Sequence, residues 1–404
     1  MDKIGLLKKG ILKHLYFNKQ LSSADLSEKL SKSLPVVLKL LNELIRDGEV
    51  MELGYAPSTG GRRPMLYTLQ KNVRYVLTVA MDQVFTKIGL MNMEHEFVKP
   101  VRRYDLRLAD NPEALSGLEA LIQDYIKINH IDGATIAGIG IGMPGFVDVE
   151  KGINYSFIPS GEHSIAEFLE ERLNLPVYID NDSSLVALSE YRFGAARKRK
   201  NVMVVNMSWG VGLGIIIKGE LFRGNNGFAG EFSHIPIFTS NKLCSCGKTG
   251  CLETEASLLV LIEKAKEGIR NGKTTNLRHL SDTNPEEAYE SIVSMALKGD
   301  KFCIEIISEI GYNIGRGLAI LIHILNPELI ILSGRGASAG KLWRAPIQQA
   351  INEHSIPRLA EHTEIEISTV GARDELLGAA ALVMENFGKD RRKKKSKGTG
   401  IELI

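Results

Sequence analysis

The chain has little of several things, and each shortage narrows what it can be. Four cysteines among 404 residues exclude the disulfide framework of a small secreted domain. No apolar run approaches the ~18 residues that a membrane-spanning helix needs. Lysine and arginine nearly balance aspartate and glutamate, for a formal charge of +2, so the chain as a whole exerts no global attraction on nucleic acid. The N-terminus alternates lysine with apolar residues and offers no small-residue cleavage site, so secretion is not indicated. Together these absences predict a cytoplasmic, reduced protein with no membrane partner. At this length two or three domains with full cores are expected.

What the chain does have is concentrated. Three of its cysteines fall in Cys244-Ser-Cys246-Gly-Lys-Thr-Gly-Cys251, preceded by Gly230-Glu231-Phe-Ser-His234 and followed by Glu253. His234, Cys244, Cys246 and Cys251 supply one imidazole and three thiols, a set suited to tetrahedral zinc. Four protein ligands leave no position for a water, so the zinc is expected to be structural rather than catalytic. The competing readings are a disulfide or unrelated buried thiols, and an odd cluster without a signal peptide fits a disulfide poorly. Cys303 stands alone in a helical pattern and reads as a small core residue.

The first seventy residues lean basic. Ile4, Leu7, Ile11, Leu12 and Leu15 recur at helical spacing and predict a first helix. A second starts at Ser22-Ser23, where Ser22 and Asp25 can form a capping box, and buries Leu26 and Leu30. A third starts near Ser33-Leu34-Pro35, with proline tolerated in the first turn. Its stripe is Leu34, Val37, Leu38, Leu41, Leu44 and Ile45, and it stops at Asp47-Gly48. Extended segments at 50–53 and 65–69 flank Pro57-Ser-Thr-Gly-Gly-Arg-Arg-Pro64.

Three short helices and a basic hairpin make a winged helix-turn-helix over residues 1–70. The third helix is expected in the major groove of operator DNA, with Ser33, Pro35, Val36, Lys39 and Asn42 toward the bases and Arg46 as a further polar candidate. The hairpin tip, Gly60, Gly61, Arg62 and Arg63, reaches toward backbone or minor groove. Val36 and Leu40 stand where polar base-reading groups are expected, and contact with thymine methyls is one use for them. The rival reading is a small helical module that binds protein, against which the basic wing counts.

From Arg74 the pattern changes to strands alternating with helices. Strands are expected at 75–81, 86–91, 137–142, 177–179, 202–207, 212–217 and 329–332, and helices near 112–129, 165–173 and 302–325. Such alternation argues for α/β lobes with a ligand cleft where strand ends meet. The Gly230–Glu253 window, the Met143-Pro-Gly-Phe-Val-Asp148 turn, Asp180-Asn-Asp182 and Asn326-Pro-Glu-Leu-Ile-Ile-Leu-Ser-Gly334 resemble the ROK family (repressors, open reading frames and sugar kinases). The likeness is to its xylose and N-acetylglucosamine repressor branch, which carries an N-terminal winged helix with a Gly-Gly-Arg-Arg-Pro wing.

The resemblance implies an α/β fold in which an N-terminal winged helix-turn-helix is followed by two actin-like (ribonuclease-H-like) α/β lobes around a sugar cleft. The first lobe is expected over 71–190, completed by a C-terminal helix at 374–387, and the second, with the zinc motif, over 191–373. Residues 388–404 are expected to be a disordered basic tail with a secondary attraction to DNA as an alternative, since 391–395 are all basic.

In ROK kinases an Asn-Asp pair meets the sugar, and the Asp is the general base for the hydroxyl that is phosphorylated. That pair is Asn181-Asp182 here; taken singly, Asn-Asp is equally a loop cap. The resemblance adds Gly145, Glu231, His234 and Glu253 to the sugar ring, with His234 giving one ring nitrogen to zinc and facing the sugar with the other. The nucleotide half departs from the family. Its first loop, Asp-x-Gly-Gly-Thr in kinases, reads Ala80-Met-Asp82-Gln-Val84, and its second, Gly-Thr-Gly, reads Ser208-Trp209-Gly210. Phosphoryl transfer depends on positioning and charge neutralisation, so Asp182 is read as a retained sugar ligand rather than a working base.

The expected function is therefore a sugar-responsive transcriptional regulator, a repressor acting as a homodimer or homotetramer. The alternatives are a sugar kinase with an attached DNA-binding domain, and a sugar-binding scaffold whose helical head recruits protein.

Overall fold

The computed structural model describes residues 3–57, 63–158, 164–277, 280, 284–371 and 373–389. The head consists of α1 (Lys3–Asn18), β1 (Gln20–Ser22), α2 (Ser23–Leu30), α3 (Leu34–Arg46), β2 (Val50–Tyr55) and β3 (Met65–Leu69). Its strands form one antiparallel sheet in the order β1-β3-β2, beside three helices. Ser22 caps α2 through a full capping box: its hydroxyl accepts from the Asp25 N–H at 3.1 Å, while its own N–H donates to Asp25 Oδ2 at 2.9 Å.

The burial of α3 corrects the expected stripe at two positions. Val37, Leu40, Leu41 and Leu44 face the core, the i, i+3, i+4, i+7 set of one helical face. Leu40, expected outward, is 4% exposed, and Leu34, expected in the core, is 43% exposed. Leu34 lies in the first turn, before the helix meets its neighbours. The outward face is Ser33, Pro35, Val36, Lys39, Asn42 and Arg46, all exposed. Of the wing tip, Arg63 is exposed; Gly60, Gly61 and Arg62 lie outside the described residues, as does the 391–395 basic run.

The chain divides into two compact units. The first takes 1–145, 151–180 and 379–404, the second 146–150 and 181–378. After the head, the first unit holds β4 (Tyr75–Met81), β5 (Phe85–Asn92), β6 (Arg102–Asp105), α4 (Ala114–Ile128) and β7 (Ile136–Met143). The short pair β8 (Val147–Asp148) and β9 (Ile153–Asn154) comes next, then α5 (Ile165–Leu173) and β10 (Val177–Asn181). The sheet order is β10-β7-β4-β5-β6. β4 pairs antiparallel with β5 and parallel with β7. Every residue of β7 is buried, as expected of a strand covered on both faces. Gly138 and Gly140 leave room there for Val383 and Ala379 of the C-terminal helix.

The second unit repeats the plan. α6 (Asp182–Phe193) precedes β11 (Val202–Met207), β12 (Val211–Ile217) and β13 (Glu220–Phe222). α7 (Glu253–Ala256), α8 (Leu258–Arg270), α9 (Pro285–Leu297) and α10 (Lys301–Leu325) follow. The unit continues with β14 (Leu329–Ser333), α11 (Arg344–His354), α12 (Pro357–Ala360) and β15 (Glu364–Ile367), and α13 (Asp374–Asn386), the last helix among the described residues, begins in this unit and ends in the first. The order β13-β12-β11-β14-β15 matches β6-β5-β4-β7-β10: an antiparallel meander followed by strands added at the other side. Met203, Val205 and Met207 of β11 pack with α8–α11, and Val202 and Val204 pack with Val186 and Ala187 of α6. That packing puts α6 in the second unit. The division therefore falls at Asp180/Asn181 rather than near 190. Cys303 is buried in α10, as expected.

Two buried carboxylates meet in this unit. Ser333 Oγ lies 3.4 Å from Glu190 Oε1 and 3.2 Å from Asp374 Oδ2. Ser368 donates to Glu190 Oε1, and the Ala195 N–H donates to Oε2 at 3.0 Å. Burial, helped by the nearby Asp374 charge and opposed by these donors, raises Glu190 above the ordinary carboxyl range. A carboxyl raised on folding stabilises fully below its unfolded pKa, and that contribution is lost as pH rises through the folded value. Glu190→Gln cannot ionise, so its melting temperature should gain on the parent protein's as pH rises above the ordinary carboxyl range. Parallel melting curves would show no such divergence if Glu190 were ionised throughout.

Candidate functional site

The Cys-rich loop is held by backbone pairing before any metal is considered. Pro236 bridges Cys251 and Leu243 bridges Thr249. The Cys244 N–H donates to Lys248 O at 2.8 Å, and the Gly247 N–H to Cys244 O at 2.9 Å. Gly250 is left-handed (φ +75), and a β-carbon there would overlap the Phe238 carbonyl, so both its conformation and its space require glycine. Arg316 of α10 buttresses the loop from outside. Its guanidinium donates to Ile237 O at 3.0 Å and stacks over Phe238 with 4.4 Å to the ring centroid. Nothing in the sequence distinguished Arg316 from other helical arginines.

His234, Cys244, Cys246 and Cys251 place their ligand atoms within 4.8 Å of one another. Cys244 Sγ lies 3.4 Å from His234 Nδ1, and Cys246 Sγ lies 3.6 Å from Cys251 Sγ. A disulfide needs about 2.05 Å, whereas ligands ~2.3 Å from one tetrahedral centre lie about 3.8 Å apart. All four cysteines are free thiols. Burial first, then the neighbouring thiols, pushes Cys251 up to about 12. Such crowding is relieved by a cation that takes thiolates, and the cluster fits a metal ion on spacing and donor chemistry alike.

The residues expected to meet sugar are distributed as follows. Gly145, in the first unit, is left-handed (φ +87), with Ser156 filling the space where a side chain would go. The other five lie in the second unit. Asn181 is the N-cap of α6: its Oδ1 accepts from the N–H groups of Ser183 (2.9 Å) and Ser184 (3.2 Å). Its oxygen thus serves the capping role that the dipeptide alone allowed. Asp182 Oδ1 accepts from the Ser183 N–H at 2.7 Å and from its hydroxyl at 3.1 Å.

Glu253, at the start of α7, accepts from the Val211 N–H at 3.3 Å and from Ser233 Oγ at 3.5 Å. One residue along β12, Gly212 lies against the Ser183 hydroxyl. The head of β12 therefore touches both the Glu253 and the Asp182 neighbourhoods. Glu231 Oε2 lies 3.6 Å from His234 Nε2, the ring nitrogen away from the thiols. Burial raises Glu231 above the usual carboxyl range, with His234 opposing and Glu253 adding to the shift. One histidine ring thus joins the thiol cluster to the Glu231 carboxylate.

The two loops expected from the sequence to depart from the kinase phosphate loops are closed by hydrogen bonds within the chain. Asp82 Oδ1 accepts from the Val84 (2.8 Å) and Phe85 (2.9 Å) N–H groups at the hairpin turn. Ala80 is buried in β4. In the second loop, the Ser208 N–H closes the turn on Gly210 O at 2.9 Å. Trp209 carries the Arg335 guanidinium 4.8 Å above its ring, and Arg335 Nη1 pairs with Glu286 Oε1 at 3.0 Å. The Glu253 carboxylate packs directly on Gly210. Sequence reasoning found Trp209; Arg335 and Glu286 are far from it in the chain and carried no signal.

Among the described residues no helix is long and apolar enough to cross a membrane. Residues 86–386 match the ROK family model, and the chain belongs to the ROK family. A xylose repressor of Caldicellulosiruptor bescii is 32% identical over 387 residues, covering 93% of this chain and 95% of that protein. A glucokinase of Halalkalibacterium halodurans is 34% identical over 260 residues, 64% of this chain and 79% of the kinase. The crystal structure of a ROK family transcriptional regulator, a homologue of the Escherichia coli MLC protein, superposes with a TM-score of 0.77 at 25% identity, covering 96% of this chain and 97% of that one. Agreement thus runs through the head with the regulators and stops short of full length with the kinase.

Proposed function

We propose that the chain is a sugar-responsive transcriptional repressor of carbohydrate genes. It binds operator DNA through α3 and the wing and takes a monosaccharide at Asn181, Asp182, Glu231, His234 and Glu253, with Gly145 as a sixth member. The observation that carries this is agreement with a xylose repressor over 93% of the chain, head included. The two loops closed within the chain support the same reading. Ser33, Pro35, Val36, Lys39 and Asn42 offer bases an exposed face with one cation and one amide, and the wing residues Gly60, Gly61, Arg62 and Arg63 complete the DNA surface. The protein works as a symmetric homodimer or homotetramer in the cytoplasm, as a repressor reading a two-fold operator must.

His234, Cys244, Cys246 and Cys251 hold zinc as a structural ion. When bound, it neutralises the thiolates and fixes the loop that ends in Glu253. The carboxylates and the Asn181 amide are suited to a hexose or pentose because each can meet two neighbouring hydroxyls. Asp182 orients the sugar rather than taking its proton, a reading supported by Ala80–Val84 and Ser208–Gly210, which depart from the glycine-rich kinase loops.

A kinase reading keeps one specific support, the retained Asp182 beside a glucokinase likeness. Both readings are tested together by gel shift of DNA from upstream of the gene against a monosaccharide panel, alongside ATP turnover with glucose, N-acetylglucosamine and N-acetylmannosamine. A sugar-dependent shift without turnover is expected. Turnover that Asp182→Ala abolishes would establish the kinase instead.

A further inference from the structure

The head is bolted to the first α/β sheet rather than tethered to it. Five residues, 70–74, separate β3 from β4, and they are pinned on both sides. The Gln70 N–H donates to Glu49 O of the head at 2.9 Å, while Lys71 O accepts from the Met93 N–H at 3.2 Å. Lys71 Nζ also pairs with Glu94 at 3.1 Å and Glu96 at 2.6 Å. Arg74 closes the link with a two-pronged pair to Glu49, at 2.9 and 2.6 Å.

Two further contacts lie away from the link. Tyr16 of α1, fully buried, meets the His95 ring edge-to-face with centroids 4.4 Å apart. Lys13 pairs with Glu385 of α13 at 2.6 Å, and Lys9 lies 4.9 Å over the Phe387 ring. The head is thus held at three separate places, the link, the turn after β5 and the end of α13. Bidentate and part-buried pairs of this kind hold orientation better than isolated surface pairs.

We infer that the winged helix and the first α/β sheet move as one body, so that a ligand signal reaches DNA by repositioning that whole body rather than by swinging the head about residues 70–74. The inference rests on the DNA-binding reading for its consequence but not for its geometry. A hinge would need the link free of both sides in at least one state, and here the Gln70 N–H is bonded to the head while the Lys71 carbonyl is bonded to the turn after β5.

Hydrogen exchange of full-length, metal-loaded protein tests it, comparing free, D-xylose-treated and DNA-bound samples over peptides spanning 66–76 and 90–97. Protection in the free protein, changing less than about threefold on either addition, is expected. Fast exchange in the free state, or acceleration beyond about tenfold on addition, would overturn the inference. A companion variant inserts Gly-Ser-Gly-Ser after Asn72 and carries Glu49→Ala, turning the link into a tether. It should lose operator affinity by at least about tenfold and lose any sugar response. Retention of a full sugar response by this variant would show that a flexible link suffices. If the parent protein binds no DNA at all, the functional reading fails, and the exchange data alone still decide the rigidity.

Discussion

Cys251→Ser should release the metal, lower sugar affinity by at least about 100-fold, and leave DNA binding in the absence of sugar nearly unchanged. Cys251 is fully buried and is tied by the Pro236 bridge to the segment that follows His234. Two residues later Glu253 begins α7 and reaches Val211 and Ser233. Without the metal, three crowded thiols and an imidazole lose the cation that lets them share a few ångströms. The loop then has only its turn hydrogen bonds, and both Glu253 and Glu231 lose their anchor. The head lies in the other compact unit, so its DNA surface should survive. Zinc content, calorimetric sugar titration and operator binding on one preparation check all three parts. A metal-free protein with full sugar affinity would remove the metal from the account of sensing.

Asn42→Ala should cost about 1–3 kcal/mol of operator binding and relax sequence preference, while Arg63→Ala should weaken all DNA about equally and reduce the salt slope by about 1. The distinction follows from position. Asn42 lies on the exposed face of α3, where an amide can pair with adenine in the major groove. Arg63 lies in the wing, where a cation meets phosphate or a narrow minor groove. Leu40→Ala is the control that separates surface from core: buried at 4%, it should destabilise the head by roughly 2–5 kcal/mol without changing base preference. Competition titrations against random DNA at several salt concentrations distinguish the three. Equal effects of Asn42→Ala on operator and random DNA would take α3 out of base recognition.

The sequence revealed most of the fold because each signal was local. The Ser22/Asp25 box, the Gly48 stop, and the apolar runs of β4, β7, β11 and β14 are all read within a few residues. The α3 face was misread at Leu34 and Leu40 because both are leucine, and only tertiary contact decides which one the core receives. The short strands β1, β6, β8, β9, β13 and β15 were missed, since two to four residues carry no period, and the helices α6, α8, α9 and α11 were not read either. Of the candidate site, the grouping of His234, Cys244, Cys246 and Cys251 was legible because all four fall within one window. The second unit's hold on α6 was not, because it depends on Val186 and Ala187 meeting strands that come later in the chain. The Arg335–Trp209–Glu286 stack was invisible for the same reason: its members are remote in sequence and ordinary in type.

The central claim is that sugar and DNA binding are coupled through one protein, and linkage makes that claim quantitative. If a monosaccharide changes operator affinity by some factor, operator DNA must change the affinity for that sugar by the same factor. The decisive measurement is a pair of equilibrium titrations on the zinc-loaded protein: operator DNA with and without saturating sugar, and sugar with and without saturating operator. The account predicts equal factors, at least about fivefold, with no ATP consumed. Tight sugar binding with no effect on DNA affinity, accompanied by phosphorylation of the sugar, would contradict it.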